Sequence, residues 1–136
     1  MKLNTSGEDY LKAIYILQTK KGNVRSTDVA SFMGVSRPSV SNATKLLRKG
    51  GFLVMKDDYT LHLTDSGRKV AEKLYERHQY FTERLMDAGV DAGIAEAEAC
   101  KMEHAISNDS FHKIKTKERK KHSFTDNRNK KPVKEK

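Results

Sequence analysis

The 136-residue sequence predicts a mainly α-helical chain with one small β-hairpin. Through most of its length apolar residues recur at three- and four-residue intervals, the pattern of helices with one buried face. Residues 52–63 break that period, with apolar and polar positions alternating around a polar turn. Just before them, a short helical stretch, a glycine-containing turn and a second helical stretch have the spacing of a helix-turn-helix.

In chain order, Ser6 to Asp9 is a capping-box pattern that opens an apolar stripe of Leu11, Ile14 and Tyr15. That first helix runs to the Lys20-Lys21-Gly22 break. The second begins after Ser26, is expected to bury Val29, Phe32 and Met33, and stops at Gly34. Val35 and Ser36 separate it from a third helix, which tolerates Pro38 in its first turn. Val40, Ala43 and Leu47 form the apolar side of that helix, and Gly50-Gly51 end it. Phe52–Met55, the polar turn Lys56–Tyr59 and Thr60–Leu63 then read as the wing of a winged helix-turn-helix.

Thr64 caps a long helix with the stripe Val70, Leu74, His78, Phe81 and Leu85, broken at Gly89. A further helix is expected over about 91–107, and a short one through Phe111 and Ile114. Residues 116–136 have only Phe124 and Val133 as large apolar anchors and are expected to be disordered. The predicted division is therefore a winged helix over 1–69, a helical domain over 70–115 and a basic tail over 116–136.

The net charge of +9 is unevenly spread. Residues 20–69 hold ten Lys or Arg against four Asp, whereas residues 70–112 hold four against nine acidic residues. Residues 113–136 hold eleven against three, so the excess lies mostly in the tail. The basic balance points to an anionic partner, nucleic acid first, and the basic, acidic and basic blocks are separate signals. No apolar run reaches the ~20 residues of a membrane span, and the N-terminus has no signal-peptide core. The single cysteine, Cys100, excludes an internal disulfide and suits a reducing cytoplasm.

Two constellations carry chemistry. On the third helix Ser39, Asn42 and Lys45 share the face opposite the apolar stripe, flanked by Arg37 and Ser41. Short polar and basic side chains there suit base edges and phosphates of double-stranded DNA. In the acidic block Glu96, Cys100, Glu103 and His104 share one helical face, a set of donors able to hold a divalent metal. A buried cysteine beside a surface Glu–His pair explains the same residues. His78 and Asp9 could complete the coordination, although a lone histidine on an apolar stripe is more often a satisfied core residue than a ligand, and capping alone explains Asp9. His62, His112 and His122 read as surface residues. A redox switch at Cys100 is the alternative sensor. A metal-dependent hydrolase is not expected, because the chain has no nucleophile, second carboxylate pair or glycine-rich phosphate loop.

The string Glu8-Asp-Tyr-Leu-Lys-Ala-Ile-Tyr15, the helix-turn-helix, Arg77-His78 and Glu98-Ala-Cys-Lys-Met-Glu-His104 resemble the metal-dependent repressors typified by the diphtheria toxin repressor and the manganese transport regulator. The resemblance covers about residues 6–114. It implies a winged helix-turn-helix followed by a helical metal-binding and dimerisation domain, without the SH3-like domain of longer members. It also implies a cytoplasmic homodimer that binds a DNA operator, represses metal-uptake genes and responds to Mn²⁺ or Fe²⁺. Residue by residue, Asp9 matches the first-helix ligand of the manganese branch, and His78, Glu103 and His104 match ligands shared across the family. Cys100 matches the iron branch. Two positions depart from the pattern: Lys12 stands where manganese-type members have a second first-helix carboxylate, and Thr82 stands where a glutamate often serves an ancillary site. Glu96 is the nearest substitute for that glutamate.

Overall fold

The computed structural model describes residues 3–128. These fall into two compact units, one ending at His104 and one beginning at Ala105. The first contains α1 (Thr5–Lys21), α2 (Ser26–Met33), α3 (Arg37–Lys49), β1 (Leu53–Met55), β2 (Leu61–Leu63), α4 (Asp65–Asp87) and α5 (Ala92–Met102). The second contains α6 (Asn108–Arg128). No helix among the described residues is long and apolar enough to cross a membrane.

The cap of α1 is Asn4, whose side chain accepts a hydrogen bond from the Gly7 amide at 2.7 Å. This corrects the expected Ser6 cap. Asn satisfies an orphan helix amide as well as Ser does, and the helix starts one residue before Ser6. Asp9 then lies inside the helix, with its carboxylate free for other partners. Leu11, Ile14 and Leu17 bury one side of α1 in a core shared with Val24, Val29, Val40, Leu47, Leu53 and Leu61.

Gly34, at φ 69°, makes the left-handed turn after α2, and the Ser36 side chain caps α3 by accepting from the Ser39 amide. Phe32, expected inside, is 46% exposed. The inward face of α2 is centred between Val29 and Ala30. At ~100° per residue Met33 falls near that centre, whereas Phe32 lies about 110° from it.

The hairpin pairs Leu53 with Leu63 and Met55 with Leu61 in antiparallel register. Its root is fixed from three sides. The Leu61 amide donates to the Val24 carbonyl at 2.7 Å, the Thr64 hydroxyl donates to the Gly51 carbonyl at 2.7 Å, and the Thr64 amide donates to the Phe52 carbonyl at 3.1 Å. The same Thr64 hydroxyl caps α4 by accepting from the Gly67 amide.

α4 packs against both α1 and α5, and its buried line runs through Gly67, Ala71, Leu74, Arg77 and Phe81. The expected stripe is thus rotated: Val70, His78 and Leu85 are only half-buried. Small residues at 67 and 71 permit the close approach that places this line inward. The helix is continuous across residues 69 and 70, so the boundary expected there lies within a helix. α5 stops at Met102, short of the expected residue 107, and buries only Ala95 and Ala99. Met102 is 38% exposed.

The tail also differs from expectation. Residues 116–128 continue α6, while 129–136 lie outside the described residues. Low apolar content shows that an isolated segment lacks a core. It does not stop a helix already started, here with the Ser107 hydroxyl accepting from the Ser110 amide at 3.0 Å. The stretch Asn108–Arg128 contains neither Gly nor Pro and is rich in Lys and Arg, which extend helices readily.

Gly67 provides a direct check on the packing of α4 against the wing. A Cβ there would overlap the Phe52 backbone carbonyl, which cannot move without breaking the hairpin root. Helix propensity alone makes Gly67→Ala stabilising by up to about 1 kcal/mol. The packing reverses the sign, so a loss of about 1–3 kcal/mol is expected in urea unfolding. A stabilised variant would contradict this packing.

Candidate metal centre and nucleic-acid face

Three helices converge on the carboxylate of Glu103, which is fully buried. α1 contributes Glu8, Asp9 and Lys12 from two successive turns, α4 contributes Arg77 and His78, and the end of α5 contributes Cys100. Glu103 is the C-cap residue of α5, with its amide donating to the Ala99 carbonyl at 2.9 Å. Arg77 Nη1 donates to the Glu103 carbonyl at 2.9 Å. A cation at a helix C-terminus satisfies an orphan carbonyl and complements the helix dipole. Arg77 thereby fixes the direction in which the Glu103 side chain leaves the helix.

The Glu103 carboxylate is held at both oxygens. Oε2 lies 2.6 Å from Lys12 Nζ, and Oε1 lies 3.0 Å from His78 Nδ1. Lys12 Nζ also lies 3.6 Å from Cys100 Sγ. On the other side, His104 Nδ1 is 2.7 Å from Glu8 Oε1, and His104 Nε2 is 2.8 Å from Asp9 Oδ1 and 3.6 Å from Glu103 Oε2. Two ligand groups result, His78–Cys100–Glu103 and Asp9–Glu103–His104, each with its donor atoms within 4.8 Å of one another. They share Glu103.

The donor chemistry fits a divalent cation. Both ring nitrogens of His104 face carboxylate oxygens, and a neutral imidazole carries one proton for two such contacts. An imidazolium would donate to both, whereas with a neutral ring the unprotonated nitrogen and the carboxylate facing it could together hold a cation. Carboxylate and imidazole donors suit Mn²⁺ or Fe²⁺, and a thiolate adds a softer option. Burial raises the Cys100 thiol above its ordinary pKa, helped by Glu103 and Asp9 and opposed by Lys12. A thiol raised in this way is a weak nucleophile, which counts against the redox alternative.

Five of the six candidate ligands therefore lie together: Asp9, His78, Cys100, Glu103 and His104. Glu96 does not join either group; its side chain is 71% exposed and its Oε2 lies 3.8 Å from His78 Nε2. Thr82 supplies no carboxylate, and its buried hydroxyl makes no hydrogen bond. The sequence reading missed Glu8 as a partner of His104, and Lys12 and Arg77 as partners of Glu103. One signal was available for Glu8 and Lys12: they lie four residues apart, on the same side of α1 as Asp9.

On α3, Arg37, Ser39, Ser41, Asn42 and Lys45 are all exposed, while Val40, Thr44 and Leu47 anchor the opposite side. The Ser39 hydroxyl is 2.9 Å from that of Ser36, which orients it within the first turn.

Residues 2–61 match the iron dependent repressor N-terminal DNA-binding domain, and residues 64–120 match the iron dependent repressor metal-binding and dimerisation domain. The transcriptional regulator MntR of Salmonella typhimurium is 36% identical over 104 residues, which cover 76% of this chain and 66% of the relative. An HTH-type transcriptional regulator of Methanocaldococcus jannaschii is 30% identical over 116 residues, covering 83% of this chain and 92% of the relative. Among solved structures, a manganese-dependent transcriptional repressor in complex with manganese matches with a TM-score of 0.72 at 29% identity, over 82% of this chain and 51% of that one. The manganese regulator SloR matches with a TM-score of 0.68 at 31% identity, over 79% and 50%. The chain thus spans about half to two-thirds of the length of these manganese regulators. With both family domains matched in order on a helix-turn-helix, a wing and a three-helix ligand cluster, the chain belongs to the iron dependent repressor family.

Proposed function

We propose that this protein is a metal-dependent transcriptional regulator that represses metal-uptake genes when Mn²⁺ or Fe²⁺ is bound. The observation that carries the reading is the shared, fully buried Glu103, which brings ligand-capable side chains from α1, α4 and α5 together in the unit that also presents α3. In this reading Asp9, His78, Cys100, Glu103 and His104 are the metal-ligating set. Arg37, Ser39, Ser41, Asn42 and Lys45 face double-stranded DNA. The protein acts in the cytoplasm as a homodimer, and it is not an enzyme.

Each residue has a defined part. Asp9 sits on α1, the helix against which α2, α3 and β2 pack. His104 follows α5, which packs on α4. A cation held by Asp9, Glu103 and His104 would add positive charge among Glu8, Asp9 and Glu103, beside that already supplied by Lys12. Asp9 and His104 then hold α1 against the α4–α5 layer, and α1 sets the direction of α3. In a two-fold dimer this fixes the separation of the two α3 helices, which must approach about 34 Å to enter successive major grooves. Without the cation, repulsion among the three carboxylates loosens α1, and α3 with it.

The experiment is selection of duplexes from a random DNA library in Mn²⁺, followed by fluorescence anisotropy on the enriched duplex with Mn²⁺, with Fe²⁺ under anaerobic conditions, or with excess chelator. The chelator is expected to weaken binding about 5–150-fold, the usual range of allosteric coupling. Equal affinity in chelator contradicts the proposal. A Glu103→Ala, His104→Ala variant should bind equally weakly under all three conditions.

Two α3 substitutions separate phosphate contacts from base contacts. Lys45→Ala should weaken binding to all duplexes about equally and lower the salt slope by about 1, as expected for a lost phosphate contact. Asn42→Ala should lower affinity for the enriched duplex by about 1–3 kcal/mol and relax its sequence preference. Unchanged binding by both variants would remove α3 from the DNA face.

A further inference from the structure

Lys12 stands between the two ligand groups, and its contacts with them are unequal. Its Nζ lies 2.6 Å from Glu103 Oε2 and 3.6 Å from Cys100 Sγ, with the side chain 9% exposed. It therefore touches two of the three members of the His78–Cys100–Glu103 group. Of the Asp9–Glu103–His104 group it touches only Glu103, and His104 is instead turned to Glu8 and Asp9.

We infer that Lys12 is a tethered cation occupying the His78–Cys100–Glu103 group, so that each chain holds one divalent ion, on Asp9, Glu103 and His104. The inference rests on the metal-centre reading above and narrows its five-residue set: the ion sits on Asp9, Glu103 and His104, while His78 and Cys100 belong to the group that Lys12 occupies.

Charge balance supports the assignment. Glu8, Asp9 and Glu103 together carry three negative charges in this cluster. Lys12 and one divalent ion supply three positive charges, and the Arg77 guanidinium, which interacts with Glu8 and Glu103, adds a fourth. A second ion leaves three in excess, or two if it binds Cys100 as the thiolate, in a place where Glu103 is fully buried and Lys12 nearly so, and uncompensated buried charge is strongly unfavourable. Swinging Lys12 away to admit that ion would break the buried pair with Glu103 and expose the ammonium to the second cation. Ligand chemistry follows from the same contact. With Cys100 next to an ammonium group rather than an ion, the ion meets two carboxylates and an imidazole. That set is harder than one containing a thiolate and favours Mn²⁺.

The test counts bound ions and looks for sulfur among the ligands, on the full chain and without DNA. Electron paramagnetic resonance of free Mn²⁺ during titration should show one Mn²⁺ bound per wild-type chain. Co²⁺ titration should show no thiolate-to-metal charge-transfer band. Lys12→Glu replaces the ammonium with a carboxylate, and should double the Mn²⁺ count and bring in the Co²⁺–thiolate band. The band should disappear again in the Lys12→Glu, Cys100→Ser double variant. Two Mn²⁺ per wild-type chain, a thiolate band in the wild type, or a Lys12→Glu protein that still takes one ion would overturn the role of Lys12 while leaving the metal centre intact. Binding of neither ion by the wild type would instead overturn the metal-centre reading itself. The two wild-type measurements decide the matter even if the variant does not fold.

Discussion

The carboxylate of Glu103 is the contact on which the rest of the site depends. A fully buried carboxylate loses several kcal/mol of hydration, a cost offset only by well-placed partners. Here Lys12 from α1 meets one oxygen, His78 from α4 faces the other, and Arg77 fixes the residue's own carbonyl. Three helices must be in place for that carboxylate to be stable. Removing one partner of such a buried pair typically costs about 3–5 kcal/mol. The same convergence places Asp9, Cys100 and His104 within ligand distance of Glu103.

α1 links chemistry to recognition because its two sides have different tasks. Leu11, Ile14 and Leu17 face the core that also contains Val29 of α2 and Val40 of α3. Glu8, Asp9 and Lys12 face the end of α5. A change in how firmly the polar side is held therefore reaches α3 through side chains packed at core density, without a separate lever. The acidic character of residues 70–112 and the basic character of 20–69 describe the same division in electrostatic terms.

Helix periodicity made much of this legible in the sequence. The helix-turn-helix, the hairpin and the Thr64 cap follow from local spacing, and each stands in the fold. The expected face of Glu96, Cys100, Glu103 and His104 does not hold as one face: α5 ends at Met102, Cys100 and His104 join Glu103 in different donor groups, and Glu96 joins neither. The exposed side of α3 was legible from local spacing. Contacts spanning most of the chain were not. The Lys12–Glu103 and His104–Asp9 pairs join residues 91 and 95 positions apart, and no local pattern encodes them. Lys12 read only as a departure from a ligand pattern, whereas it is the cation that satisfies Glu103. Phe32 and the rotated face of α4 failed for a related reason: a periodic stripe gives a face but not the direction of its neighbours. For residues 116–128, composition spoke to burial and the structure answered on helix propagation.

The central claim is that cation binding ties α1 to the end of α5. Hydrogen–deuterium exchange of the full chain, with and without Mn²⁺, reads that directly, because exchange reports local opening helix by helix. The account predicts slower exchange with Mn²⁺ in α1 and around residues 99–104, extending to α3, and no such change in an Asp9→Ala variant. Protection by Mn²⁺ confined to α4 and α5, with α1 and α3 exchanging as they do in chelator, would contradict it.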